Sequence, residues 1–374
     1  MKEISQEELN KILNDHKLWL EGKGDKYADL SYVNLSHTNL SHIDLRGANL
    51  AHTDLTGTDL SYTDLKHAKM TNVSLVHANL KRADLSDTDL SDLNLKNVNL
   101  AGANLRRANL KHAFLDNADL SGSDLRYVNL EVADLEDANL SKINLENANL
   151  RGANLRHANL ERANLKRADL EHADLKYANS EYINLERANL KCANLEYADL
   201  RHGNLEDADL GHANLKHAYL VNTILKDANL KDTDLSYANL RNADLRGADL
   251  ARTNLKKVLI NIHTAGYVMA CPEEGSFIGY KKADGCIVKL LILKDAKRSS
   301  ATTVKCRCSK AKVLEIREIQ TDKLLDSVSS DYDVDFVYKV GEIVSVDDFD
   351  DNRWSECSTG IHFFINRENA LNYL

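Results

Sequence analysis

Residues 28–42 read ADLSYVNLSHTNLSH, with leucine at 30, 35 and 40. The spacing continues from residue 26 to residue 255 as 46 unbroken pentapeptides. Leucine closes 44 of them, and Met70 and Ser180 close the other two. Two residues before the leucine stands Ala in 28 repeats, Thr in 8, Val in 4 and Ile in 3, with Leu93, Ser123 and Gly203 in the rest. The residue between is Asp or Asn in 41 repeats, and Lys69, Ser74, Phe114, Tyr219 and Ile224 are the exceptions.

A period of five fits neither regular structure. On an α-helix each step of five rotates by about 140°, which smears the leucines around the axis. On a straight strand every second leucine changes face. The leucines stay on one side only if the chain turns once per repeat. Each repeat is then one short side of a coil, with Leu and the small residue inward and the Asp or Asn outward. Every twentieth residue from 111 gives Lys111, Glu131, Arg151, Glu171 and Lys191, which alternate in sign. Coils stacked about 4.8 Å apart place these side chains in a ladder, so four sides per coil are expected. Forty-six sides then make about 11.5 coils and a rod of roughly 55 Å at ~4.8 Å per coil.

The run ADLSY-VNLSH-TNLSH resembles the pentapeptide-repeat family, whose consensus is A(D/N)LXX. The resemblance covers about 230 of 374 residues. It implies an all-β solenoid, the right-handed quadrilateral β-helix, in agreement with the four-sided reading. Some members of that family bind type II topoisomerase as rods that resemble duplex DNA. The resemblance therefore implies DNA gyrase as an alternative partner.

The composition suits a narrow bore. The chain is 43% hydrophobic but only 6% aromatic, with a single proline, Pro272. The net charge of −9 gives no support to binding nucleic acid or an anionic membrane. No run of 18 apolar residues is present, so no transmembrane span is expected. The polar start MKEISQEELNKIL reads as no secretory signal. Six cysteines in 374 residues are too few for a disulfide scaffold, so a reducing cytoplasm is the expected compartment.

An open β-helix end needs a cap. Ser5-Gln6-Glu7-Glu8 matches a capping box, and residues 5–21 read as an amphipathic helix sealing the first coil, with His16 and Trp19 packed in the cap. The segment ILNDHKLWLEGKGDKYADL also resembles the leader of many pentapeptide-repeat proteins. After Leu255 the period vanishes, and five of the six cysteines lie in the tail. Strands are expected at residues 287–293, 312–316, 336–340 and 360–365, and a short helix at 366–373. The expected division is 1–25 as cap, 26–257 as β-helix and 258–374 as a small α+β domain. The segments AKRSSATTVKCRCSKAKVL and CSTGIHFFINRENALNYL resemble a domain of uncharacterised function attached to pentapeptide-repeat proteins of phages and bacteria. That resemblance implies a bacterial or phage origin and no activity.

Several residue sets are candidates for chemistry. Cys306, Cys308, Cys357 and His362 offer metal-ligand atoms, but two CxxC-like pairs are lacking, which favours reduced structural cysteines. His172, Cys192 and His212 fall twenty apart at an outward position where His occurs eleven times, which favours simple surface placement. Cys357, His362 and the acidic run from Asp347 to Asp351 are near in sequence, yet a triad is defined by geometry. No catalytic residue, metal or cofactor is assigned. Ser180 and Met70 are core irregularities. At outward positions Phe114, Tyr219 and Ile224 replace Asp or Asn, with Val221 between the last two, and an apolar patch there points to a protein partner.

The charge of the repeats bears on DNA mimicry. Residues 26–255 carry 33 acidic and 27 basic side chains, a net of −6. Duplex DNA of ~55 Å carries about 32 negative charges. The cluster Glu131, Asp134, Glu136 and Asp137 is the best acidic patch, and it faces Lys111, Arg151 and Arg156. The expected function is a non-catalytic protein-interaction or scaffold rod presenting the C-terminal domain. Topoisomerase binding is the alternative, and enzyme activity in the tail is the third reading.

Overall fold

A computed structural model describes residues 1–267, 270–272, 274–300, 302–350 and 358–373. The chain divides into two compact units, Met1–Ala243 with Asn254–Asn261, and Asp244–Thr253 with Ile262–Leu374. No helix among the described residues is long and apolar enough to cross a membrane.

In the first unit outward Asp and Asn residues form parallel bridges to the residue twenty positions on. Asp29 pairs with Asn49, Asn34 with Asp54, Asn39 with Asp59 and Asp44 with Asp64. Four repeats therefore complete one circuit. The sides are single-residue bridges rather than extended strands, because a corner follows every leucine. At each corner the leucine carbonyl accepts from the N–H three residues on, as from Ala153 to Leu150 at 3.0 Å. Only the second corner residue has positive φ, for example Tyr177 at +61° and Val132 at +56°. A bonded turn with positive φ at that one position is a type II turn. Most of these positions hold residues other than glycine, although the left-handed region costs an L-residue about 1–2 kcal/mol.

The repeat 151–155 shows where every backbone donor goes. The Gly152 N–H reaches Glu171 O on the next coil at 2.9 Å, and Leu155 reaches Asp174 O at 2.7 Å. Asn154 reaches back to Ala133 O at 3.0 Å, and Ala153 closes the corner. The remaining donor, Arg151 N–H, bonds the Asn149 side-chain Oδ1 at 3.1 Å. An Asx side chain bonding the amide two residues on is a known local motif. The Asn amide is then free to donate across coils, as from Asn149 Nδ2 to Asn129 Oδ1 at 3.0 Å. Inside, the leucines from Leu30 to Leu250 are 0–1% exposed.

Within the first unit the ladder is interrupted on two adjacent sides. Among the described residues no bridge joins Lys69 or Ser74 to the residue twenty positions on. Departures from the repeat meet here: Lys69 and Ser74 lack the Asx group, Met70 replaces a leucine, and Leu93 fills a small-residue site. Lys66 and Asp87 form an ion pair at 3.3 Å in the same stretch.

The N-terminus supplies what a preceding coil would. Helix α1 spans Gln6–Leu20, with Ser5 Oγ accepting from the Glu8 N–H. The other half of the expected capping box does not form; the Glu8 carboxylate pairs with Lys2. His16 is buried, and its Nδ1 accepts from the Ala28 N–H at 3.0 Å. Burial pushes its imidazole below the usual pKa. Trp19 stacks on His16 with centroids 5.4 Å apart. Lys2 adds one more bridge, to Val33, and the Glu3 side chain accepts from Asn34 Nδ2 at 2.7 Å.

The second unit is built on a seven-stranded antiparallel sheet. Its strands are β1 (Phe277–Ala283), β2 (Cys286–Ile292), β3 (Arg298–Ser300), β4 (Lys305–Cys308), β5 (Lys310–Glu318), β8 (Ile343–Ser345) and β9 (Ile361–Phe364), in spatial order β3-β4-β9-β1-β2-β5-β8. A hairpin of β6 (Ser327–Ser329) and β7 (Val337–Lys339) forms a separate pair. Helix α2 (Arg367–Leu371) is capped by Asn366, whose side chain accepts from Glu368 N–H. One sheet face packs Val288, Leu290, Val313 and Phe363 with Tyr338 of β7. The other packs Ile287 and Phe364 with Ala370 of α2. Gly279 is needed for close approach, because a Cβ there would lie 2.5 Å from the Phe363 ring.

Ser180 is 0% exposed, and its Oγ has no hydrogen-bond partner. An unpaired buried hydroxyl costs on the order of 1–3 kcal/mol. Ser180→Leu should therefore raise the melting temperature; a lowered value would contradict this reading.

Candidate interaction surface

The three apolar residues at Asx positions are all exposed: Phe114 by 47%, Tyr219 by 49% and Ile224 by 41%. Each keeps its place in the ladder, Phe114 bridging Asn94 and Asp134, Tyr219 bridging Asp199, and Ile224 bridging Asn204. Val221, on the corner between Tyr219 and Ile224, is half-buried. None of these side chains can accept a corner N–H, so Asp116, Val221 and Lys226 lack the Asx bond that Arg151 has. A hydrogen bond of this kind contributes about 0.5–1.5 kcal/mol. The apolar residues therefore replace a stabilising group with an exposed one. Phe114 lies under Lys96, whose Nζ is 5.9 Å from the ring centroid.

A second feature was not found in the sequence. His157, Tyr177, Tyr197, His217 and Tyr237 occupy the second position of one corner in five successive coils. Their centroids are separated by 5.1, 5.1, 4.6 and 4.9 Å, with interplanar angles of 4–21°. The coil spacing of about 4.8 Å falls within the centroid separation of offset-stacked rings, about 4.5–7 Å, so a repeat of twenty builds the column without adjustment. The ring faces cover one another and the edges remain accessible; Tyr177 is 44% exposed and Tyr237 37%. Lys176 Nζ lies 5.2 Å from the Tyr177 centroid and 5.9 Å from that of Tyr197. Tyr219 follows His217 by two residues, which makes the column continuous along the chain with the Tyr219–Ile224 patch. Reading every twentieth residue from 157 would have exposed the column. The sequence reading applied that register to charges and to His172, Cys192 and His212, and not to the rings.

The charges are largely paired across coils. Lys111 meets Glu131 at 3.1 Å, Lys176 meets Glu196 at 2.6 Å, and Arg151 pairs with Glu171. Within the acidic patch Glu136 meets Arg156 at 3.8 Å, and Asp134 accepts from Asn154 Nδ2 at 2.8 Å. Glu131, Asp134 and Glu136 are thus already engaged by cations and amides of neighbouring coils. These exposed pairs contribute about 0–1 kcal/mol each.

Among the described residues no group of three His, Cys, Asp or Glu is placed to hold a metal ion. Cys306 and Cys308 lie on β4 and are fully buried. Burial pushes the Cys308 thiol up to about 12, and a hydrogen bond with Cys271 together with burial raises Cys306. Reactive thiols are partly exposed and have a lowered pKa, and these two show neither feature. His362 sits on β9, paired with Arg307 in register. Cys357 and Asp351 lie outside the described residues. On the repeats, His172 turns toward Glu171 at 3.7 Å and His212 toward Asp232 at 3.8 Å, while Cys192 is half-buried.

Pentapeptide repeats match in eight copies between residues 28 and 259, and the chain belongs to the pentapeptide-repeat family. Residues 267–370 match a family of unknown function (DUF5758). No curated protein matches the chain. Among solved structures the chain is similar to HetL, a pentapeptide repeat protein involved in heterocyst differentiation regulation from the cyanobacterium Nostoc sp., at 31% identity over 65% of this chain and 92% of that one, with TM-score 0.40. It is similar to QnrB1, a plasmid-mediated fluoroquinolone resistance protein, at 16% identity over 56% and 92%, with TM-score 0.28. It is also similar to a pentapeptide repeat protein of the Arabidopsis thaliana thylakoid lumen, at 27% identity over 30% and 70%, with TM-score 0.18.

Phe114→Asn should restore the corner bond to Asp116 N–H and raise stability by about 0.5–1.5 kcal/mol, read by denaturant melting. Alkylation of the native protein should reach Cys192 ahead of Cys271, Cys286, Cys306 and Cys308, which become reactive on unfolding. Native labelling of Cys306 or Cys308 as fast as Cys192 would refute the buried-thiol assignment.

Proposed function

We propose that the protein is a non-catalytic interaction rod whose docking face is the patch of Tyr219, Val221 and Ile224 together with the adjoining His157–Tyr237 ring column. In this reading residues 1–25 cap the rod and residues 26–257 form a right-handed quadrilateral β-helix of about 11.5 coils. Residues 258–374 are a C-terminal binding domain. One observation carries the proposal: Tyr219 and Ile224 stand exposed where an Asp or Asn would have bonded the backbone. Exposed Tyr residues beside apolar neighbours are the side chains that dominate protein–protein binding. Local departures from a repeat rule that lower stability are expected at functional positions. The partner is a protein; the net charge of −6 on the repeats offers nothing to nucleic acid.

Topoisomerase binding is the second reading. The length of the repeat run favours it and its paired charges oppose it. In a gyrase supercoiling assay, absence of any effect at high micromolar protein removes that reading.

The double variant Tyr219→Asn/Ile224→Asn restores both Asx groups. It should melt higher than the parent and at the same time lose partner capture or self-association measured by sedimentation. A variant that is more stable and binds unchanged would overturn the docking face.

A further inference from the structure

Strand β1 carries Gly279, Lys281 and Ala283 on its buried face, and Lys281 stands opposite Val288 of β2. A lysine at this position is out of place. Its neighbours on that face build the main core of the unit, and it is only 7% exposed. Burying an ammonium without a counter-ion is strongly unfavourable. Among the described residues no carboxylate forms an ion pair with Lys281, and Asp331 acts on it only from a distance. Its Nζ lies 5.9 Å from the ring centroid of Tyr338, itself 2% exposed.

Lys281 lines a cavity of about 430 Å³ with Lys305, Tyr332, Asp333, Tyr338 and His362. A second cavity of about 280 Å³ shares Lys281, Lys305, Tyr332, His362 and Tyr373. The larger has the size of a small-molecule site. Two further cations meet at Tyr373: Lys305 Nζ donates to its hydroxyl at 2.8 Å and Lys282 Nζ to its carbonyl at 3.0 Å. Burial, reinforced by the charge of Lys305, lowers the Lys281 pKa despite the opposing pull of Asp331. A desolvated lysine beside another cation is the arrangement that makes an amine nucleophilic near neutral pH.

We propose that this cavity binds a small anionic aldehyde or ketone, with Lys281 as the amine that condenses with its carbonyl. The neutral amine nitrogen bonds the carbonyl carbon, and the carbonyl π pair moves to oxygen. Both amine protons pass to that oxygen, which leaves as water, and a C=N bond remains. The reaction is reversible, needs no oxidant or reductant, and is a mode of binding rather than turnover. Lys305 sits where it can meet the anionic group.

The test uses the full-length protein, pyridoxal 5′-phosphate as probe, and borohydride to reduce any imine, followed by peptide mapping. Lys281 should be trapped first, ahead of its neighbour Lys282, because a desolvated amine beside the Lys305 cation is held in its neutral form more often than an ordinary lysine. Lys281→Met should abolish that adduct and leave the surface lysines labelled as before. Should that variant fail to fold, Lys281→Arg keeps the charge and forms no imine. Trapping of Lys281 no faster than of Lys282, in the native wild-type protein, overturns the proposal.

Discussion

The first backbone N–H of each corner finds its acceptor on a side chain. Four of the five amides in a repeat bond to carbonyls of the corner or of the neighbouring coils. The fifth bonds to the Asp or Asn Oδ1 two residues earlier, as Arg151 does to Asn149. A backbone donor left unpaired in so compact a coil costs about as much as a lost hydrogen bond. This constraint explains why Asp or Asn recurs in 41 of 46 repeats, where an outward position alone would accept any polar residue. It also separates the two amino acids. Asn donates onward to the preceding coil, as Asn149 does to Asn129, whereas Asp only accepts. Where acids stack, the effect shows in titration: Asp64, between Asp44 and Asp84, has its pKa raised by burial and by both neighbours.

The same constraint gives the exceptions their meaning. In Tyr219, Ile224 and Phe114 the repeat gives up its accepting group and presents apolar surface instead. Lys69 and Ser74 give it up where the ladder between coils is interrupted, beside Met70 and Leu93. Corners elsewhere carry the complementary burden. Their second residues sit at positive φ, where the backbone tolerates tyrosine and histidine because the stacked coils hold each corner on both sides. Ring columns such as His157–Tyr237 follow from the fixed spacing of the coils.

Much of the fold was legible because the period is so regular. The leucine spacing dictated one turn per repeat, and the sign alternation at Lys111, Glu131 and Arg151 indicated twenty residues per circuit. The bridges show the same register. The role of the Asx side chain was not legible, since a residue that points outward and one that folds back onto its own chain look alike in a pattern. In the tail, the apolar run at residues 287–293 identified β2. Strand β1 was missed because its sequence, FIGYKKA, lacks alternation and carries two consecutive lysines. The signal available was Asp284-Gly285, where both residues have positive φ in a two-residue hairpin turn. Burial of Lys281 could not be read from sequence, because it depends on how Tyr338 of β7 packs over one face of the sheet.

Residue-resolved amide hydrogen exchange of the native protein tests the central constraint directly. Arg151, Lys176 and Lys191 each donate to an Asx side chain, and Asp116, Val221 and Lys226 do not. The account predicts slow exchange at the first three and fast exchange at the second three, all six being the first amide of a corner. Equal protection in both sets would contradict it.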